Sequence, residues 1–447
     1  MLENIVLALF ALAILLCIAS GQSVVVALAF GLALFLWHGH HKGFRANELA
    51  GMCLAGLGKT RIILFTYILI GLLTATWRAS GTIPEIVALA SGLVSTQGFL
   101  LTAFLLNCAL SFLTGTSFGT AATMGVITMS AGLALGQDPA WLGGAILSGA
   151  YFGDRCSPVS TSALLVATLT RTDIYRNVRL MMWSGAPAFL LACAIFFAMS
   201  FTASSAAGSA AGAEAIFSRI LRLHWVDAMP AAAVLVLALA RVPVAWTLGA
   251  GIALASGIAL FFQGMTIPDF LSACLYGFHT SDPEAGALLN GGGIRSMAGV
   301  ACIILISSCY AGIFQKTGLL SGLQAAVAAA AQRIGRFPAI CLGATAASAL
   351  ACSQTLGIIL AHQLFEKAVP EKEELMIGLE NSASVIPALL PWCVAGAVPV
   401  AAIGAPDAAF AAAAYLWLVP LCGVAESLWS RWAGAALAAR RGSSPRR

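Results

Sequence analysis

Two acidic residues stand inside long apolar stretches of this 447-residue chain. Asp154 lies in Gly153-Asp-Arg-Cys-Ser-Pro158 and Glu380 in Leu379-Glu-Asn-Ser382, and each is followed within a few residues by serine and proline. A carboxylate at membrane depth costs at least ~2.5 kcal/mol, so it normally faces a cavity and marks the path of an ion or substrate. Protonation or cation binding relieves that cost. The plainer reading is that each acid caps a helix N-terminus near water. In a broken helix such a cap still belongs to a site, so the two readings overlap.

The neighbours of these acids are small and hydroxylated. In the first half they are Thr116, Ser117, Thr120, Ser157 and Ser160; in the second, Ser353, Gln354, Thr355 and Ser384. Where a membrane helix unwinds, its freed carbonyls must meet a cavity or another polar group. Carbonyls and hydroxyls suit a hard cation such as sodium, while half-helix N-termini favour an anionic group. Asp154 and Glu380 are the expected sodium ligands. Arg155 has three readings: it neutralises Asp154, it offers a guanidinium to a substrate carboxylate, or it snorkels to the cytoplasmic interface. His362, in an apolar helix before a charged hairpin, reads as an interfacial residue rather than a proton carrier. The run Asn290-Gly-Gly-Gly-Ile-Arg295 has the composition of a phosphate cradle, but no strand precedes it and it holds no lysine, so a nucleotide site is not expected.

Composition decides what must hold these residues. Sixty per cent of the chain is hydrophobic and 9% charged, and mean hydropathy is +0.93. A water-soluble domain carries about 25% charged residues, so most of this chain faces lipid or itself. At roughly 20 residues per span there is room for about ten to twelve transmembrane helices. An all-α polytopic membrane protein follows, because barrel strands would alternate in short segments. The net charge of +5 sits in short clusters between apolar runs, as the positive-inside bias requires, and does not point to nucleic acid. Most of the twelve cysteines lie within apolar runs and no CxxC occurs, so neither disulfides nor zinc is expected. The first run lacks a positive n-region and continues into a second, as in a hairpin of spans rather than a signal peptide.

Spans at about 2–20 and 22–38 lead to a basic, partly amphipathic stretch with Lys42, Arg45, Lys59 and Arg61. That stretch, and with it the N-terminus, should be cytoplasmic. A third span at about 61–78 ends in Trp77–Arg78, which reads as an interfacial anchor. A long apolar region at 97–166 is broken by glycines and Pro158; a basic loop and a span at 180–203 close the half. Residues 204–225 read as a linker. The scheme then repeats: spans at 227–241 and 243–263, an interrupted stretch at 266–296, a span at 297–315 and an Ala-rich helix at 318–333. A second broken region follows at 338–404 and a final span at 408–430. The expected organisation is a first membrane repeat over 1–203, a second over 226–434 and a basic cytoplasmic tail over 435–447. Each half carries a hydroxyl-rich break followed by an acidic one, and matching breaks in two halves are the best sequence pointer to a transporter site near the midplane.

At these residues the chain resembles the NhaC family of sodium/proton antiporters, within the larger ion-transporter superfamily. The matching pieces are Gly115-Thr-Ser-Phe-Gly-Thr120, Ser148-Gly-Ala-Tyr-Phe-Gly-Asp-Arg-Cys-Ser-Pro158, Leu289-Asn-Gly-Gly-Gly-Ile-Arg-Ser296 and Leu379-Glu-Asn-Ser382 leading to Leu390-Pro-Trp392. The resemblance implies two inverted repeats with broken or re-entrant helices. It also implies sodium-coupled exchange against protons or, in some members, organic acids. Three positions depart from the family pattern: Thr161, Ser353 and Asn381 are neutral where the family often carries an acid. That changes the charge balance, and an amino acid or carboxylate could bring its own charge to such a site.

Two functions therefore compete. The first is a cation/proton antiporter working by alternating access, with Asp154 and Glu380 alternately holding a cation or a proton. The second is a cation-coupled transporter of an amino acid or a hydroxy or dicarboxylic acid. A channel is disfavoured, since two different acidic breaks lie in one chain. No HExxH motif or nucleophile elbow suggests an enzyme. No cofactor is expected beyond sodium and protons as transported or coupling ions. The lipid bilayer of a bacterial inner membrane is the expected setting, with both termini cytoplasmic, and a homodimer is left open.

Overall fold

The computed structural model describes residues 2–20, 22–93, 97–202, 217–317 and 333–442. The chain runs α1 (Leu2–Ala19), α2 (Val24–His41), α3 (Ala46–Ala79), α4 (Thr82–Leu93), α5 (Phe99–Thr114), α6 (Ser117–Thr120), α7 (Val126–Ala134), α8 (Pro139–Cys156), α9 (Thr161–Thr170) and α10 (Ile174–Met199). It continues with α11 (Met229–Leu239), α12 (Val244–Gly257), α13 (Ile267–Tyr276), α14 (Pro283–Leu289), α15 (Ala298–Thr317), α16 (Arg336–Ala351), α17 (Gln354–Phe365), α18 (Lys372–Glu380), α19 (Val394–Ile403), α20 (Ala408–Ala412) and α21 (Ala414–Gly442). Among the described residues there is no β-strand, and one isolated antiparallel bridge joins Phe278 to Gly291. Most of the 204–225 linker, the Ala-rich helix at 318–333 and the end of the basic tail lie outside the described residues.

Among the described residues, three helical segments are long and apolar enough to cross a membrane unbroken: Val24–His41, Ile174–Met199 and Val244–Phe262. Many of the others are shorter apolar helices of 10–17 residues, some of them joined end to end across a break. The 16 residues of α5 rise only ~24 Å, less than the ~30 Å hydrocarbon thickness. Trp183, Trp246 and Phe261 point outward with 76%, 75% and 85% of their surface exposed. An apolar outer surface of this kind belongs against lipid, so the chain is a multi-pass helical membrane protein.

Two expectations change at α3. The basic stretch and the third span are one continuous helix, Ala46–Ala79. No glycine or proline signal ends it near Arg61 in a way that forces a turn, and α15 packs along it. Trp77 is fully buried, in the core that links α3 to α11 and α12. It therefore anchors nothing at a membrane surface. His362, read as interfacial, is also buried, with Phe365 on the same helix.

The largest core joins α3–α8 to α10–α12 and α19–α21. A second cluster ties α1 and α2 to α15 and reaches Cys352 and Trp392. A third packs α9 against α16, α17 and α18. Between these clusters the broken helices meet.

Candidate ion-binding site

Each break follows from local chemistry. After α5 the chain turns at Gly115, with φ +67°, and Thr116 is extended before the helix restarts at Ser117. Glycine is required there twice over. Its φ is left-handed, and a Cβ would stand 2.8 Å from the Ser160 nitrogen and the Val159 carbonyl carbon. Thr116 Oγ1 accepts a bond from Gly119 N at 3.2 Å and caps the restart. The restarted helix passes through a π-turn at Ala121–Gly125, a wide turn often found at functional sites. In the second half, Cys352 takes the same left-handed position (φ +51°), Ser353 is extended, and α17 begins at Gln354. A non-glycine residue there costs ~1–2 kcal/mol, and Val394 N donating to Cys352 O at 3.0 Å helps hold it.

The acidic breaks cross these. α8 stops at Cys156 because Pro158 cannot continue it, and Ser160 caps α9, accepting from Ser162 N and Ala163 N. α18 stops at Glu380, and a turn with a 3-10 segment at Ile386–Leu389 leads to α19. Val159–Ser160 touches Gly115 in the first half, and Val394 touches Cys352 in the second. In each half a residue of positive φ, Gly115 or Cys352, thus lies against the chain that follows an acidic break.

Asp154 is 4% exposed and Glu380 fully buried. Asp154 accepts from Ser160 Oγ at 3.1 Å and from Gln354 Nε2 at 3.1 Å. Gln354 Nε2 also donates to Ser384 O at 2.7 Å, so one amide bridges the two halves. Ser162 Oγ donates to Asp154 O at 3.0 Å and lies 2.9 Å from Ser160 Oγ. Glu380 differs: among the described residues neither carboxylate oxygen meets a donor in good hydrogen-bond geometry, and the one hydroxyl beside it, Ser384 Oγ, is itself not held in a well-formed bond. A buried acceptor without a well-placed donor is costly and calls for an explanation.

Arg155 is 1% exposed and its donors are committed. Nε donates to Glu380 O at 3.3 Å, Nη1 to Tyr415 Oη at 3.1 Å and Cys156 Sγ at 3.3 Å. Nη2 donates to Met181 O and Ser184 Oγ, both at 3.1 Å, and to Asn381 Oδ1. This overturns the snorkelling reading, because the guanidinium points into the protein and clamps α8 to α10, α18 and α21. Nor does it pair with Asp154: the salt bridges among the described residues include neither Asp154 nor Glu380. A guanidinium so fully used is not presented to a solute carboxylate in this conformation.

A cavity of about 620 Å³ between α10, α16, α18 and α21 reaches this clamp at Ser184 and Asn381. Its rim carries Arg336 and Glu374, paired at 2.7 Å.

The model of the Na+/H+ antiporter family matches residues 2–173 and 149–425. The chain belongs to the Na+/H+ antiporter family. The Na(+)/H(+) antiporter NhaC of Bacillus subtilis (strain 168) is 31% identical over 351 residues, 76% of this chain and 77% of that protein. The malate-2H(+)/Na(+)-lactate antiporter of the same organism is 26% identical over 423 residues, 91% and 90% of the two chains. The arginine/ornithine antiporter ArcD of Halobacterium salinarum (strain ATCC 700922 / JCM 11081 / NRC-1) is 27% identical over 375 residues, 80% and 76%. The family places this antiporter-family chain among transporters rather than enzymes.

The structure does not bring all the sequence-derived candidates together. Asp154, Arg155, Ser160, Gln354, Glu380, Asn381 and Ser384 form one cluster. Ser157 shapes the turn after α8, accepting from Val159 N at 3.3 Å, and Ser353 begins α17 without a side-chain cap. Thr120 Oγ1 bonds back to Thr116 O at 2.8 Å, and Thr116 lines a separate cavity of about 170 Å³ with Arg241 and Val244. Ser117 is buried beside Tyr151. Thr161 and Thr355 are exposed, at the first turns of α9 and α17. Sequence reasoning missed Ser162, Ser184, Tyr415 and the Met181 carbonyl. Ser162 could have been found, two residues beyond Ser160 in the same hydroxyl run; the others lie on α10 and α21, whose approach only folding decides.

Proposed function

We propose that the chain exchanges sodium or another monovalent cation for protons by alternating access. Asp154 and Glu380 are the carboxylates that alternately hold cation and proton. One observation carries this reading: two buried carboxylates stand where four helix breaks meet, and Glu380 meets no donor in good hydrogen-bond geometry among the described residues. A cation or a proton would remove the cost of that arrangement. Competition for the same negative charge would then couple the two movements, with no cofactor needed. Asp154 Oδ1 and Oδ2, the Ser160 and Ser162 hydroxyls and the Ser384 hydroxyl near Glu380 supply oxygen donors of the kind a hard cation takes. The name of the NhaC relative supports the same cargo.

The matched breaks support two repeats, 1–203 and 226–434, related by inversion across the membrane. The clusters at Arg171–Arg179 and Arg333–Arg336, with the basic tail, support cytoplasmic termini in a bacterial inner membrane. In everted vesicles, Asp154→Asn and Glu380→Gln should each abolish sodium- or lithium-dependent pH recovery. Activity persisting in both variants overturns the assignment.

A second reading is favoured by two relatives of similar coverage, whose names include malate, lactate, arginine and ornithine. In it the cation drives a small organic acid or amino acid. Uptake of a labelled solute panel into proteoliposomes, with and without a sodium gradient, separates the two. If no solute enters while sodium still moves protons, the second reading fails.

A further inference from the structure

Two cysteines meet where α3 and α15 touch, outside the Asp154–Glu380 cluster. A Cβ at Gly56 would overlap the carbonyl oxygen of Ser308 and stand 3.5 Å from Cys309 N. One at Gly312 would overlap the carbonyl oxygen of Met52. Glycine at these two positions lets the helix backbones come into contact, as small residues do in membrane helix pairs. Cys53 lies three residues before Gly56, and Cys309 three before Gly312. Residues three apart share a helix face, so each thiol stands on the side that meets the other helix. The two side chains come within hydrogen-bonding reach of each other. Cys53 is half-buried, Cys309 is buried, and both are free thiols.

The surroundings decide what such a pair can hold. The thiols lie against an apolar cluster that includes Met52, Tyr310 and Ile313. Zinc takes about four ligands and requires deprotonated thiols, yet among the described residues no three His, Cys, Asp or Glu side chains are grouped to hold a metal. A soft monovalent ion on two thiolates would leave a net negative charge in apolar surroundings, which is costly. Closing a disulfide requires an oxidant. Trivalent arsenic meets none of these obstacles, because it condenses with two neutral thiols and leaves a neutral product.

We propose that Cys53 and Cys309 are a dithiol site for a trivalent arsenical, which bridges α3 of the first half to α15 of the second. With a compound R–As(OH)2, both S–H bonds and both As–O bonds break, two As–S bonds form and two waters leave. Arsenic stays trivalent, and nothing is oxidised or reduced. Once the first As–S bond has formed, the second closes within one molecule, so the pair outbinds any single cysteine of the chain. The helices already touch here, so bridging needs no helix movement. The site holds whether or not the proposed cation exchange is correct.

The test uses the purified full chain in detergent with phenylarsine oxide, which hydrates to phenylarsonous acid, as probe. One equivalent should bind and raise the melting temperature, as a ligand of the native state does. Cys53→Ser and Cys309→Ser should each weaken binding at least about a hundredfold, the loss expected when a two-point attachment becomes a single one. Cys302→Ser, which removes an exposed thiol from the same helix α15, should bind as the unaltered protein does. In the unaltered protein, peptide mass spectrometry should find one phenylarsenic group joining Cys53 to Cys309; this arm stands even if the serine variants do not fold. Affinity retained by Cys53→Ser or Cys309→Ser, affinity lost in Cys302→Ser, or arsenic found on another cysteine pair would each overturn the proposal.

Discussion

Replacing Arg155 by lysine tests whether the guanidinium is a structural clamp or a substrate ligand. Six acceptors surround it: Glu380 O, Met181 O, Asn381 Oδ1, Ser184 Oγ, Tyr415 Oη and Cys156 Sγ. An ammonium has three donors and cannot reach elements on opposite sides of α8. Cys156 is a weak acceptor, and Ser184 already lies 3.3 Å from Met181 O and 3.4 Å from Asn381 Oδ1 as an alternative donor. Two buried oxygen acceptors, Glu380 O among them, are left without donors. At about 1–3 kcal/mol for each buried unsatisfied group, Arg155→Lys should destabilise the fold by about 2–6 kcal/mol. The loss is read as a lowered midpoint in denaturant or thermal unfolding of the detergent-solubilised protein. Where the variant still folds, its KM for sodium should stay close to that of the unaltered chain. A variant of normal stability with a large rise in KM for sodium or for a solute would refute the clamp and restore Arg155 as a ligand.

Gln354→Leu removes the amide that joins Asp154 to Ser384 O. A hydrogen bond to a charged group contributes ~1.5–3 kcal/mol, so sodium KM in proteoliposomes should rise about tenfold or more; an unchanged KM would show that the bridge does not shape the site. Gly115→Ala forces a Cβ into a left-handed residue 2.8 Å from Val159 and Ser160. It should cost at least ~1–2 kcal/mol in melting experiments and reduce transport by displacing Ser160 from Asp154. Glu374→Gln breaks an ion pair with Arg336 whose side chains are 51% and 41% exposed. Such pairs contribute ~0–1 kcal/mol, so stability and sodium KM should barely change; a large effect on KM would place this rim pair on the cation path.

Composition and residue order already specified a good deal. A chain so poor in charge must be a helical membrane protein, because lipid offers backbone groups no partners. Glycine, proline and serine marked the helix breaks, since each acts through local backbone chemistry: left-handed φ at Gly115, a missing donor at Pro158, a cap at Ser160. The acids within apolar sequence singled out Asp154 and Glu380, and both are buried in the fold.

Tertiary structure decided which groups meet. In a membrane protein both the lipid-facing and the interior faces of a helix are apolar, so hydropathy cannot tell inward from outward. Trp77 therefore read as an anchor and is fully buried, and the basic, partly amphipathic stretch read as separate from the third span, although Lys59 and Arg61 lie on one continuous helix with it. Thr161 and Thr355 share the types and spacing of their neighbours, yet helical rotation turns both outward. Arg155 stood next to Asp154 in the chain, but consecutive helical residues face different ways. The two side chains part: Asp154 turns towards Gln354 of the second half, and Arg155 towards Asn381, Tyr415 and α10. The pairing of charges in the site depends on that rotation and on how the broken helices cross, and both are set by long-range packing rather than by local sequence.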